Sequence, residues 1–186
     1  MTLLAAPGLA PGARQDQRSH MSLIPFDTLP DDSRLWCFGA SRAPDASRTE
    51  LLLDSMRAFV SEWTAHRRDL QAGFDWLHGR FLLIGVDQSG AGASGCSIDA
   101  LTGHLKRLGA ALDLDLLDSM PVWFRDPAGD IRMVSRADFS DLAAQGKVSA
   151  DTPVFDLTLT RLGDARAGGL ETAAGSAWQR SLLTSD

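Results

Sequence analysis

Apolar residues recur along this chain with two different periods, and those periods assign most of its secondary structure. Leu52, Met56, Phe59, Val60 and Trp63 follow one another at helical spacing and define one buried face. Ser47-Arg48-Thr49-Glu50 lies just before them and reads as a capping box, with the Ser47 hydroxyl accepting from the Glu50 amide while Glu50 reaches back. A helix is therefore predicted there, running to about Arg67. Ile98, Leu101, Leu105, Leu108 and Leu112 form a second stripe on a helix that begins near Ser97, with Asp99 in its first turn complementing the positive end of the helix dipole.

Strand signals lie between and after these helices. Arg34 to Ala40 is a short apolar run bounded by Gly39 and Pro44. Phe74 to His78 and Arg80 to Val86 read as two strands joined by a tight turn at His78-Gly79. The continuously apolar Phe81–Val86 segment has the character of a central strand. Val122 to Arg125 and Ile131 to Ser135 flank a turn-rich segment from Asp126 to Asp130 and predict a hairpin. A short helix from about Ala137 to Gln145 stops at Gly146, and Val154 to Thr160 alternates like a final strand. The order strand, helix, strand, strand, helix, strand predicts an α+β fold with a ferredoxin-like βαββαβ core. In it, two helices cover one face of an antiparallel sheet, and a further C-terminal hairpin or strand and a short helix are appended. Residues 1–21 are expected to be a disordered extension, 22–162 a single domain, and 163–186 a loose tail of small and polar residues.

Composition narrows the setting. With 44% hydrophobic residues in 186, the chain supports one sizeable core. No apolar run approaches the roughly 18 residues that span a bilayer. The net charge of -6 disfavours nucleic acid and anionic membranes as partners. Lys106 and Lys147 are the only lysines, and the scattered arginines, flanked by acids, read as genome composition rather than phosphate recognition. Cys37 and Cys96 have no zinc spacing. The short N-terminal apolar run, broken by Pro7 and Gly8, makes a poor export signal, so a cytoplasmic protein with reduced thiols is expected. His78 and His104 lack metal-ligand spacing, and Asp113, Asp115 and Asp118 read as a solvated helix exit. No metal or other cofactor is implied.

The candidate chemistry lies between the central strand and the second helix. Gly90 to Gly95 spells G-x-G-x-x-G, but Asp87, Gln88 and Ser89 separate the strand from the first glycine, so the tight turn of a dinucleotide site is missing. The same segment approaches a phosphate-binding loop, with Cys96 where the lysine would stand, and a thiol cannot supply that positive charge. What remains is a helix N-terminus able to hold a small anion, with Ser94, Gly95, Ser97 and Asp99 around it and Trp63 as an aromatic wall. Against this stands the commoner use of Ser97 and Asp99, satisfying those amides themselves. Cys96 in the same positive field is a candidate nucleophile, with His66 as base. Cys37, inside an apolar strand, is expected in the core.

Several segments together carry a family resemblance: Phe26-Asp-Thr-Leu-Pro30 with Ser33-Arg34 and Trp36; Trp63-Thr64-Ala65-His66 with Asp69-Leu70; Arg80-Phe81; Ala93 to Asp99; and Leu116-Leu117-Asp118. Through them the chain resembles a group of small uncharacterised bacterial proteins often labelled "ABC transporter ATPase". The resemblance directs attention to Trp63, His66, Cys96, Ser97 and Asp99, while the missing lysine argues against the ATPase label. Three functions are therefore expected: a binding or accessory module for a small anionic ligand, a cysteine-dependent acyl transferase or hydrolase, or a structural subunit that pairs with itself or another protein.

Overall fold

The computed structural model describes residues 22–183. The expected N-terminal extension lies outside the described residues. β1 runs Arg34–Gly39 and α1 Ala46–Ser61. A two-residue hairpin follows, β2 (Thr64–Ala65) with β3 (Arg68–Asp69), and then β4 (Ala72–Leu77), β5 (Phe81–Val86) and α2 (Gly95–Leu112).

β1, β5 and β4 form an antiparallel sheet in that order, with Arg34 opposite Val86 and Leu77 opposite Phe81. Every residue of the central β5 is buried, and alternate residues serve opposite faces. Leu82, Ile84 and Val86 pack with Leu52, Met56 and Val60 of α1 and Leu101 and Leu105 of α2. Phe81 and Leu83 meet Trp123, Phe155 and Leu162 on the other side. Two covered faces explain why this strand is apolar throughout rather than alternating.

The second half builds its own sheet from β6 (Val122–Arg125), β7 (Ile131–Val134), β8 (Pro153–Phe155) and β9 (Glu171–Ala173), in the antiparallel order β7-β6-β8-β9. α3 (Arg136–Ala144) connects β7 to β8 and buries Phe139 against Phe124, with ring centroids 5.6 Å apart. The fold is thus mixed helix and strand with antiparallel sheets. Among the described residues, no helix is long and apolar enough to cross a membrane.

Four details differ from the sequence reading. First, Asp45, not Ser47, caps α1: its extended backbone lets the carboxylate accept the Arg48 amide at 2.8 Å. Second, α1 ends at Ser61 rather than near Arg67, because Glu62 and Trp63 close the last turn and His66 and Arg67 take left-handed φ of 51° and 63° in the β2–β3 turn. Third, only three strands take the order of a ferredoxin-like unit. The chain leaving α2 inverts at a left-handed Asp113 and buries Leu114 and Leu116 under the helices, and the next strand, β6, pairs in the second sheet. Among the described residues the edge of β1 meets an isolated bridge at Arg161 and a bond from the Leu35 amide to the Thr160 carbonyl.

Fourth, residues 163–183 are not a loose tail. β9 pairs with β8, Glu171 grips Arg125 through both oxygens at 2.7 and 2.8 Å, and Gln179 is completely buried. The small residues there permit close packing; a Cβ on Gly175 would stand 2.9 Å from the Cβ of Ala150.

Candidate functional site

The helix start singled out by sequence is well formed. Ser94 caps α2, and a capping box joins it to Ser97: the Ser94 hydroxyl accepts from the Ser97 amide at 3.3 Å, and the Ser97 hydroxyl accepts from the Ser94 amide at 2.8 Å. Ser97 is buried, and its carbonyl accepts the indole N–H of the equally buried Trp63 at 3.0 Å. Trp63 therefore braces the helix against β2.

Cys96 is exposed on the first turn, Asp99 is exposed but lies beyond that turn because α2 starts at Gly95 rather than near Ser97, and His66 is exposed on the β2–β3 turn. Among the described residues no hydrogen bond joins His66 to Cys96. Gly90, Gly92 and Gly95 have ordinary negative φ, and a Cβ on Gly90 or Gly95 would meet nothing within 4 Å. The tight turn and close helix packing that make glycine necessary in a dinucleotide loop are thus absent. Cys37 is half-buried on β1, and burial, reinforced by Asp156, pushes its thiol up to about 12, so it stays protonated. Among the described residues no group of three or more His, Cys, Asp or Glu side chains could hold a metal ion.

None of these predicted residues lines the cavity of about 900 Å³ that opens between the β6–β7 hairpin and α3. Its walls arise from local turn chemistry. Asp126 accepts the Ala128 and Asp130 amides at 3.0 Å each, which folds the hairpin loop. Its other oxygen holds the Nε of Arg132 at 3.1 Å. At the far end of α3, Gly146 takes a left-handed φ of 67° and donates to Ala143, while Lys147 donates its amide to Leu142. This turn ends the helix as a Schellman motif and sets Lys147 at the rim. Phe124, Ile131, Leu142 and Val148 supply apolar lining.

Arg80 enters the cavity from the end of the β4–β5 turn. Its guanidinium carbon sits 5.0 Å from the centre of the Trp123 ring. Among the described residues its side chain has no carboxylate partner and no hydrogen-bond acceptor, and its Nε is sealed from solvent. Burial draws the guanidinium below its ordinary pKa, yet arginine remains a cation. An adjoining recess of about 470 Å³ shares Arg80 and Arg132 and adds His78 and Arg125. Arg125 is already committed to Glu171, whose carboxyl is held below the usual range by its hydrogen bonds from Arg125 and the nearby charges of Arg125 and His78.

Compared with known proteins, the chain matches no family model, no curated protein and no solved structure. Sequence reasoning missed Arg80, Arg132 and Lys147, which come from three separate segments and look like ordinary scattered cations. The one available signal was Lys147, one of two lysines, placed directly after a helix-stopping glycine.

Proposed function

We propose that this protein is a binding module for a small organic anion, held in the cavity between the β6–β7 hairpin and α3 rather than at the start of α2. The observation that carries this reading is Arg80, a partly buried guanidinium without a carboxylate partner among the described residues, in a chain where 24 acidic residues outnumber 18 basic ones. Desolvating a cation is unfavourable unless an anion compensates it. A ligand carboxylate or phosphate on the terminal nitrogens of Arg80 restores that compensation, and a charge-assisted hydrogen bond contributes about 1.5–3 kcal/mol. Lys147 at the rim and the apolar lining support an organic anion over a bare ion. The cavity volume falls within the range of about 300–1,000 Å³ that small-molecule sites occupy.

The test is a thermal-shift panel of carboxylates and phosphates on the wild type and on Arg80→Met. A ligand at 100 times its Kd stabilises the native state by about 2.7 kcal/mol. The substitution is expected to weaken binding by about tenfold or more, the equivalent of one charged hydrogen bond. If no panel member stabilises the wild type, or if Arg80→Met binds the same anion equally well, the cavity is not an anion site.

A further inference from the structure

We propose that the ligand of this cavity carries two carboxylates joined by an apolar spacer, one end held by Arg80 and the other by Lys147; this rests on the cavity being an anion site. Three cations line it, and they are not equivalent. Arg132 is neutralised by Asp126 at 3.1 Å. Among the described residues neither Arg80, which is half-buried, nor Lys147, which is exposed, has an ion-pair partner, so the lining carries two positive charges without a protein carboxylate. Charge complementarity therefore selects a dianion.

The two cations come from different segments of the fold and meet in one cavity. Arg80 stands at the end of the β4–β5 turn, stacked on Trp123, whereas Lys147 follows the Schellman turn of α3. Phe124, Ile131, Leu142 and Val148 share the lining with them, which disfavours solvated polar groups along the ligand's middle. A cavity of about 900 Å³ also far exceeds the needs of one compact phosphate. Two unpaired cations and an apolar lining in one cavity match two anionic ends on an apolar chain.

Titration calorimetry on the full chain tests this with α,ω-dicarboxylates from succinate to sebacate, the monocarboxylates of matching length, and inorganic phosphate. One dicarboxylate length is expected to bind best, about threefold or more tighter than its monocarboxylate, the gain of one exposed ion pair. Lys147→Gln is expected to erase that advantage while leaving monocarboxylate affinity within about twofold. Arg80→Gln is expected to weaken both series by about tenfold, and Arg80→Lys, which keeps the charge, to recover part of the loss. Circular dichroism on each variant confirms that it folds. Equal affinity for mono- and dicarboxylates, no length optimum, or tightest binding of phosphate overturns the two-ended ligand while leaving the anion site intact. Absence of binding by every probe overturns both.

Discussion

The start of α2 and the cavity beside α3 are both polar features on an ordinary scaffold, and they differ in what their polar groups already do. At the helix start, Ser94 and Ser97 satisfy each other and Trp63 binds the Ser97 carbonyl. At the cavity, Arg80 leans on an aromatic ring and has no anionic partner among the described residues. A donor that is already paired gains little from a ligand, whereas an uncompensated cation gains a full charged interaction. Residue type near a glycine-rich loop is thus a weaker guide to binding than the state of each group's partners.

The largest perturbation that separates the two regions is Gly39→Ala. A Cβ there would lie 2.6 Å from the Trp123 ring, the surface on which Arg80 rests. Overpacking of this kind costs about 1–3 kcal/mol. Denaturant unfolding should show that loss, and anion affinity should fall with it; unchanged affinity in a destabilised protein would mean that the Trp123 shelf does not position Arg80. Ser94→Ala is the reciprocal experiment. Loss of the cap should lower stability by about 1 kcal/mol with anion affinity unchanged. A drop in affinity would return the site to the helix start.

Acid provides a subtler probe of the second sheet. Glu171 has a depressed folded pKa, so its contribution is fully present above its ordinary value of 4.5 and disappears as pH falls through the lower folded value. The stability difference between wild type and Glu171→Gln should stay constant from neutral pH down to about 5 and then shrink in more acidic solution. A difference that grows on acidification would contradict the Arg125–Glu171 pairing. The smallest effect concerns the thiols. Iodoacetamide at mildly alkaline pH should label exposed Cys96 and spare Cys37, whose thiol is pushed up to about 12. Alkylation of Cys96 should leave anion binding unchanged, because Cys96 does not line the cavity.

Much of the first half was legible in the sequence. The α1 stripe of Leu52, Met56 and Val60 and the α2 stripe of Leu101, Leu105 and Leu108 are buried as their spacing requires. β1 and β5 occur where their apolar runs predicted them. The end of α1 was not legible: Trp63 continues the helical spacing, yet it is buried from the link between α1 and β2, after the helix has stopped. Residues 163–183 misled for the opposite reason. Their small side chains resemble a linker in composition, but they allow tight backbone packing in place.

By itself the sequence determined the two amphipathic helices and the apolar central strand. These features depend on residues within a turn or two of one another, where periodicity acts. Only the tertiary structure decided that β6 joins a second sheet, that Glu171 returns to Arg125, and that Arg80 and Lys147 share one cavity. Whether a charge is compensated depends on which distant segment the chain brings beside it, and spacing along the sequence does not encode that distance.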